Sequence, residues 1–408
     1  MDVFVARQAI LNRNKDVYGY ELLFRSNPEN NQFDGTDASV ATKSVIAGTL
    51  FSAGLEGILG GKRAFINFDR KMLLDGCLAI LPKETLVIEV LETVEPDEEV
   101  LAACTRLSES GFTIALDDFV HQPKFEPLLQ KIQIIKVDMR STPRDEQKRL
   151  VTRYSKAGVR MLAEKVETIE EFEWARGVGF DYFQGYFFTK PVVVCGKQIE
   201  TSKMSCLRLL QEAQREEIDF EELSRLIKRD VSFAYKLLHF TNSPLFPHRN
   251  EIRTVERALA VLGEEGIRRW VSVAALPFLA KDKPQELIVQ SLLRGQFSER
   301  IGRLAGMPVA PNCFLLGLFS LIDAILDRTI EYALQQIKLA HPVEDVLLGT
   351  ASPDDRLMLI HTLVREYENG DWDVVSALAA RLGVPAAEIG GAYMESVRWV
   401  DEVARVTA

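Results

Sequence analysis

Short apolar runs alternate with segments of helical periodicity over the first half of the chain. The apolar runs predict strands at Val3–Val5, Tyr18–Phe24, Arg63–Phe68, Leu86–Leu91, Thr113–Leu116, Ile134–Val137, Arg160–Ala163 and Tyr182–Phe187. The intervening segments predict helices at Asp37–Ser52, Pro96–Ser110, Pro143–Ala157 and Ile169–Arg176. Alternation of this kind predicts parallel βα units, and the number of strands favours a closed, TIM-like (β/α) barrel over an open sheet.

The second half of the chain has a different pattern. From about Thr201 onward apolar residues recur at helical spacing, and runs of β type are almost absent. Glycines stand near the ends of the predicted helices, where a C-terminal glycine is favoured, at Gly263, Gly306, Gly349, Gly370 and Gly383. We therefore expect an α/β plus all-α protein, with a barrel domain over residues 1–197 and a helical domain over residues 198–408.

Amino-acid composition limits the kinds of partner that the protein can bind and the cellular compartment in which it is expected. The 408 residues leave room for two cores, and the formal charge of −10 argues against a binder of nucleic-acid polymers. The five cysteines form no CxxC pair, which indicates reduced, packed thiols. The N-terminus lacks the pattern of a signal peptide, and the longest apolar stretch, Cys313–Leu326, contains Asp323 and is too short to span a bilayer. We expect a cytoplasmic protein without a membrane partner.

Acidic and amide residues stand at the ends of the predicted strands. They are Glu21, Asn67, Glu89, Asp117, Asp118, Asp138, Glu164, Glu167 and Gln184, and they are joined by Lys136. The carboxyl ends of the strands of a βα barrel meet at one rim, so these side chains are predicted to converge there. Carboxylates brought together repel one another unless a cation neutralises them, and oxygen ligands suit Mg²⁺ or Mn²⁺.

Such a rim predicts phosphodiester chemistry. With Asp117 as a bridge, two metal ions could clamp the attacking water and the leaving oxygen. Glu164 would then be placed as general base, and Lys136 could orient the water or offset charge near the second metal.

Each of these residues also has a structural interpretation. An aspartate at a strand end more often caps a helix or solubilises a loop, Lys136 fits a surface lysine, and Gln184 fits a residue that satisfies backbone groups. Glu92 and Glu167 each follow another glutamate by three residues, as in the first turn of a helix. His121 lies in a predicted loop and is expected to face solvent rather than bind a ligand.

The order of these segments resembles an EAL domain, the barrel that hydrolyses the bacterial second messenger cyclic di-GMP. Glu-Leu-Leu stands at 21–23 where the family usually has Glu-Ala-Leu, and FINF, EVLE, DDF, KVD, AEKVET and QGYFFTKP follow in the family's order. The resemblance covers nearly all of residues 1–195. As an ordered set the motifs are highly specific, although each piece alone is weak.

The resemblance implies a two-metal site. Its first-metal ligands correspond to Glu21, Asn67, Glu89 and Asp117, and Asp118 helps to form the second-metal site. Glu164 resembles the general base and Lys136 an active-site polar residue.

The resemblance also implies contacts with the dinucleotide. Gln8 and Arg25 correspond to groups that contact the ligand, and Gln184 corresponds to an active-site polar residue. Glu92 is expected to anchor the loop that follows Asp-Asp-Phe, and Glu167 is assigned to the same loop-supporting role.

Three positions depart from the family pattern. Val120 replaces the first glycine of the loop after Asp-Asp-Phe, and Lys165 replaces the glycine between the two glutamates of the AEGVE element. The lysine could occupy the site or pair with Glu164. Ala9 replaces a usual proline. Glycine permits backbone conformations that branched residues resist, so the loss of these glycines counts against efficient turnover. Metal binding is the firmer prediction, because the acidic residues are retained.

The helical half resembles an HDOD domain, the relative of HD phosphohydrolases that lacks the metal ligands. The resemblance covers roughly residues 205–400. The chain contains no His-Asp dipeptide, and Ser320 and Leu321 stand where an HD enzyme has His-Asp. The Asn242-Ser243 element also supports the resemblance, although a helix-ending turn is the preferred interpretation of this element. Such domains are treated as output modules, so a protein partner is expected through this half.

Two functions follow from the resemblance. The first is a signal-transduction adaptor, in which a degenerate EAL barrel that binds metal or cyclic di-GMP is coupled to an HDOD output domain. The second is an active metal-dependent phosphodiesterase that cuts cyclic di-GMP to linear pGpG under regulation by the helical half. The altered loop and Lys165 favour the first, and the intact acidic set favours the second.

Overall fold

Among the residues that the structure describes, eight strands close into a barrel. The computed structural model describes residues 3–26, 59–75, 83–191, 201–243, 251–308 and 310–407. The strands are β1 Val3–Asn12, β2 Val17–Ser26, β3 Arg63–Phe68, β4 Leu86–Val90, β5 Thr113–Leu116, β6 Ile134–Asp138, β7 Arg160–Glu164 and β8 Tyr182–Gln184. The closed barrel predicted from the apolar runs is confirmed, and β3 and β5 begin and end at the predicted residues.

The pairing of β1 corrects one sequence prediction. β1 runs antiparallel to both of its neighbours, β2 and β8, while the other neighbouring strands are parallel. Only Arg13–Asp16 separates β1 from β2, and a link of that length forms a hairpin rather than a parallel crossover. The amide of Asn12 donates to the carbonyl of Asp16 over 2.8 Å and closes this turn.

Short helices surround the strands. They are α1 Arg70–Leu74, α2 Glu98–Glu109, α3 Glu126–Leu129, α4 Arg144–Tyr154 and α5 Ile169–Val178. α2 begins after Asp97, whose carboxylate accepts from the Val100 amide, and α5 begins with a capping box between Thr168 and Glu171. The predicted helix Asp37–Ser52 lies outside the described residues.

The interior of the barrel is apolar below the rim. Six fully or almost fully buried side chains from six strands pack together there, and they are Ile10, Phe65, Val87, Ala115, Ile134 and Leu162. The parallel register pairs Asn67 with Glu89 and Asp138 with Glu164. The polar residues at the strand ends therefore share one rim above a dry core.

The second half of the described chain is helical, as predicted. Its helices are α6 Thr201–Ala213, α7 Phe220–Arg229, α8 Val231–Thr241, α9 Val255–Leu279, α10 Gln285–Leu304, α11 Ala310–Phe319, α12 Ile322–Leu326, α13 Ile330–Ile337, α14 His341–Leu347, α15 Arg356–Asn369, α16 Trp372–Leu382 and α17 Ala386–Thr407. Gly263 breaks α9 with a φ of 64°, and the other four glycines predicted at helix ends also have positive φ. Their predicted role is confirmed.

The described residues form two compact units that are not contiguous in sequence. The first contains the residues up to Lys190 together with Glu366–Ala377 and Pro385–Met394, and the second contains the remainder. Within the first unit the Tyr367 hydroxyl donates to the carbonyl of Val5 over 3.1 Å. The division into residues 1–197 and 198–408 stays a prediction.

Three cysteines fall in the described residues, and all three are buried and form no disulfide. Burial raises the pKa of Cys104, Cys206 and Cys313 to about 11 in each case. Their packing role matches the prediction, while Cys77 and Cys195 lie outside the described residues.

Helix length and hydropathy give little sign of a membrane segment. In the described part of the chain no single helix is both long and apolar enough to cross a bilayer, and one sharply bent pair, Trp372–Leu382 with Ala386–Val403, passes on length and composition only.

Candidate functional site

Lys136 lies at the centre of the carboxylate rim. Its ammonium Nζ is 2.7 Å from both Glu89 Oε1 and Asp117 Oδ1, 2.9 Å from Glu164 Oε1 and 3.2 Å from Glu21 Oε2. Four carboxylates from four strands or strand ends thus converge on one buried cation. The interpretation of Lys136 as a surface lysine is wrong, because its side chain is 1% exposed.

Amide side chains complete the arrangement around Glu21. Asn67 Nδ2 donates to Glu21 Oε1 over 3.0 Å, and Gln184 Nε2 donates to Glu21 Oε2 over 2.7 Å. The same Gln184 amide group also donates to Gln8 Oε1 over 2.8 Å. These bonds fix the Glu21 carboxylate, so Gln184 serves the acidic cluster rather than the backbone.

Burial and neighbouring charges shift the acid–base equilibria of this cluster. Burial tends to lower the pKa of Lys136, but the carboxylates around it raise that pKa well above its usual value. Burial and the nearby Glu21 carboxylate raise the pKa of Glu89 well above its usual value. Burial also raises the pKa of Glu164 to about 8, although the Lys136 ammonium acts to lower it. Burial also tends to raise the pKa of Glu21, but Lys136 and the amide donors lower it overall.

Lys165 lies at the outer side of the same rim. Its Nζ is 2.7 Å from Asp138 Oδ2 and 3.7 Å from Asp118 Oδ2. The sequence left two positions open for Lys165, in the site or paired with Glu164. The structure places its ammonium among the acidic groups of the rim, and Glu164 pairs with Lys136 instead. The sequence placed Asp138 at this rim but assigned it no individual role, and it did not predict the pair with Lys165.

The loop after Asp118 is held by α4 and by an ion pair. Phe119 is buried and its amide donates to the Lys136 carbonyl over 3.0 Å, while Val120 is 64% exposed. His121 is half-buried, and its Nδ1 lies 2.7 Å from the Tyr154 hydroxyl. The ring thus joins the loop to α4.

The two glutamates expected to support this loop lie elsewhere. Glu92 is exposed, and the loop's Lys124 forms its ion pair with Glu95, over 2.9 Å. Glu167 pairs with Arg140 and, over 3.0 Å, with Lys190. Their loop-supporting roles stay a prediction. Arg25 belongs to β2, but its side chain lies outside the described residues.

The rim supplies oxygen donors for a hard divalent cation. The buried atoms Asn67 Oδ1, Glu89 Oε2, Glu164 Oε2 and Asp118 Oδ1 accept no hydrogen bond from the described residues. Amide and carboxylate oxygens are the ligands that Mg²⁺ and Mn²⁺ prefer. Across the described residues no three acidic, histidine or cysteine side chains are already spaced as metal ligands. The Lys136 ammonium contacts one oxygen of each of Glu21, Glu89, Asp117 and Glu164.

Comparisons with known proteins agree with this arrangement. A family model described as the EAL domain matches residues 68–191, and one described as the HDOD domain matches residues 201–351. The Vibrio cholerae protein named cyclic di-GMP phosphodiesterase CdgJ is 34% identical over 406 residues, which cover 99% of this chain and 93% of that protein. The chain belongs to the EAL–HDOD family. A second relative, the protein YuxH of Bacillus subtilis, is 34% identical over 407 residues, which cover 98% of this chain and 98% of that protein.

Solved structures resemble part of the chain. The complex of Klebsiella pneumoniae BlrP1 with manganese and cyclic di-GMP is 26% identical, covers 46% of this chain and 55% of that chain, and has a TM-score of 0.39.

The HDOD half has a hydrogen-bonded serine at the position where HD enzymes carry their His-Asp pair. Ser320 Oγ accepts from Arg294 Nη1 over 3.1 Å and donates to the Gly317 carbonyl over 2.8 Å. Asn242 ends α8, and its side chain exchanges two hydrogen bonds of 2.8 Å with the backbone of Ile252. The Asn242 element is therefore a helix-ending turn that also fixes a neighbouring segment.

Proposed function

We propose that this EAL–HDOD protein is a signalling protein whose barrel binds cyclic di-GMP with a divalent cation and hydrolyses it weakly. One observation carries the proposal: the Lys136 ammonium lies within 3.2 Å of four carboxylates, among them three of the expected cation ligands. The site retains the donors of an EAL site, and the Lys136 ammonium would compete with a divalent ion for the same oxygens.

The donor set fits Mg²⁺ or Mn²⁺. Glu21, Asn67, Glu89 and Asp117 would hold the ion, because all four present oxygen atoms at one rim and two of them carry buried oxygens without a hydrogen-bond donor among the described residues. The bound ion would polarise the phosphodiester and lower the pKa of a water ligand.

Competition with Lys136 supports weak hydrolysis. A buried lysine that loses four carboxylate partners is left as an uncompensated charge, and breaking one buried ion pair costs about 3–5 kcal/mol. The ammonium therefore has to find other partners when the ion enters. Glu164 would act as general base only after its own contact with Lys136 is released.

Polar residues beside the cluster would position the dinucleotide. Gln8 and Gln184 form an amide pair that leads from the buried Glu21 toward β1. We assign Gln8 and Arg25 to the ligand, because β1 and β2 pair Gln8 with Glu21 and thus place this stretch at the cluster.

An active phosphodiesterase that yields linear pGpG is the second candidate. The position of Glu164 favours it, since this carboxylate faces the same rim and its Oε2 accepts no hydrogen bond from the described residues. The printed name of the relative CdgJ, a cyclic di-GMP phosphodiesterase, supports it as well.

A turnover assay separates the two candidates. Purified protein is incubated with cyclic di-GMP and Mn²⁺ while binding is followed by calorimetry, with CdgJ assayed in parallel. We expect binding, with linear product formed at least about 100-fold more slowly than by CdgJ, the scale of one lost general acid–base contribution. Turnover equal to that of CdgJ, lost in Glu164→Ala but kept in the exposed-surface control Glu173→Ala, would establish the phosphodiesterase. Absence of both binding and product would reject both candidates.

We propose that the helical half is the output module, which binds a protein partner. The exposed apolar side chains of Val231 and Tyr235 on α8 support this role, with exposures of 81% and 67%. Partner capture that survives replacement of both residues by glutamate would count against α8 as the contact surface.

A further inference from the structure

Two lysine ammonium groups flank the adjacent carboxylates of Asp117 and Asp118. Lys136 lies 2.7 Å from Asp117 on the inner side, and Lys165 lies 3.7 Å from Asp118 and 2.7 Å from Asp138 on the outer side. The pair of neighbouring aspartates thus has a positive group on each side. Asp118 Oδ1 is buried and accepts no hydrogen bond from the described residues, so an oxygen donor also points into this part of the rim.

The position of Lys165 is fixed by its surroundings. Its backbone has a φ of 54°, and that of Asp118 has a φ of 39°, in the left-handed region that costs a non-glycine residue about 1 kcal/mol or more. The next residue, Val166, donates its amide to the Gln184 carbonyl over 3.0 Å, which ties this turn to β8. The backbone of this turn is therefore fixed at the rim, and the Lys165 side chain, 52% exposed, contacts the rim through its ion pairs with Asp138 and Asp118.

Asp138 is held in place to receive the ammonium. Its Oδ1 accepts from the amides of Arg140 over 2.7 Å and Ser141 over 3.2 Å, which leaves Oδ2 for Lys165. The ion pair thus joins the end of β6 to the turn after β7.

We propose that Lys165 is a built-in cation that takes the place of a second divalent ion, so that the barrel binds a single metal ion per chain. This inference rests on the proposed function, because it concerns the same rim. A divalent ion bound by Asp118 would have to share that carboxylate with the Lys165 ammonium, which lies 3.7 Å from Oδ2, and like charges repel strongly in a partly buried site. The remaining ion would bind beside Asp117 and Glu89.

Binding one metal ion instead of two changes the balance between ligand binding and hydrolysis. Two ions about 3.5–4 Å apart clamp the attacking and leaving oxygens of a displacement, whereas one ion anchors the phosphodiester without that clamp. The arrangement with Lys165 therefore favours binding of cyclic di-GMP over its hydrolysis.

Counting bound Mn²⁺ tests the proposal directly. The metal-free full-length protein is titrated with Mn²⁺ by calorimetry, and the electron paramagnetic resonance spectrum of the loaded protein is recorded. We expect about one ion in the wild type, with the spectrum of an isolated Mn²⁺. Lys165→Gly is expected to take up about two ions with an exchange-coupled spectrum, because glycine removes the ammonium and suits the positive φ.

Two control variants test whether the charge at position 165 causes the change in the number of bound ions. Lys165→Arg retains the charge and is expected to bind about one ion, and Lys190→Gly removes a different exposed lysine at the same rim and is expected to do the same. Circular dichroism confirms that each variant is folded.

The outcomes distinguish this inference from the proposed function. Two ions in the wild type, or the same single ion in Lys165→Gly, would overturn the role of Lys165 while leaving the cation site intact. No Mn²⁺ in either protein would overturn both, since the rim would then bind no metal.

Discussion

At the scale of single residues, Lys136 determines the state of the candidate site. A buried ammonium surrounded by four carboxylates satisfies charges that would otherwise be costly to bury. The sequence identified these residues and their common location, because each stands at the end of an apolar strand. It did not show that the lysine points into the barrel, since a side chain's direction depends on strand register and on which partners reach it across the rim.

Replacement of Lys136 tests this compensation. We expect Lys136→Met to lower the free energy of unfolding of the metal-free protein by about 3–5 kcal/mol, because four buried carboxylates lose their cation. Urea unfolding in the presence of EDTA measures the loss, and added Mn²⁺ is expected to stabilise this variant more than the wild type.

Lys190→Met is the matched control for this measurement. Lys190 forms an exposed ion pair with Glu167, so its loss is expected to cost less than about 1 kcal/mol. Equal effects of the two substitutions would show that the central ammonium does not stabilise the barrel.

At the scale of elements, the turn after β7 contacts the ends of β6 and β8, through Lys165 and Asp138 and through Val166 and Gln184. Gly185 follows β8 with a φ of 141°, and a Cβ atom there would lie 2.1 Å from the Val166 carbonyl oxygen. Val166 in turn follows Lys165. Most strand ends were predicted within two residues from apolar runs, but β1 continues to Asn12 where Val5 was predicted as its end. β8 ends earlier than predicted because Gly185 turns the chain toward Val166.

Gly185→Ala is expected to disturb this turn. The added methyl group cannot fit against the Val166 backbone, and we expect a loss of at least about 3 kcal/mol in unfolding free energy together with faster amide exchange at Val166. Gly177→Ala in α5 is the matched control, because no atom lies within 4 Å of its Cβ position. It is expected to be neutral or to stabilise by up to about 1 kcal/mol. Unchanged exchange at Val166 in Gly185→Ala would contradict the assigned close approach.

At the scale of the whole molecule, residues far apart in sequence belong to one compact unit. The unit that contains the barrel also includes Glu366–Ala377 and Pro385–Met394. Tyr367 is fully buried and bonds to Val5, and the Arg7 amide donates to the Tyr393 hydroxyl over 3.3 Å. Helical periodicity predicted an all-α second half but gave no sign of contacts across more than 360 positions.

Tyr367→Phe is expected to destabilise β1. The substitution removes the donor to the buried Val5 carbonyl, which costs about 1–3 kcal/mol when an acceptor is left unsatisfied. Hydrogen exchange of the β1 amides, followed by mass spectrometry, is the measurement. Tyr235→Phe, at an exposed position, is expected to change stability by less than about 0.5 kcal/mol. If the β1 amides are equally protected from hydrogen exchange in both variants, the hydrogen bond from Tyr367 to Val5 does not stabilise β1.

The sequence by itself determined the order of strands and helices and the identities of the donors at the strand ends. These follow from hydrophobic periodicity and side-chain chemistry, which act locally along the chain. Only the tertiary structure decided that β1 pairs antiparallel with two neighbours, that Lys136 neutralises four carboxylates and that Lys165 pairs with Asp138 and Asp118. Barrel closure and register bring distant side chains within 2.7–3.7 Å of one another, and ion pairs at such distances depend on geometry that no local pattern contains.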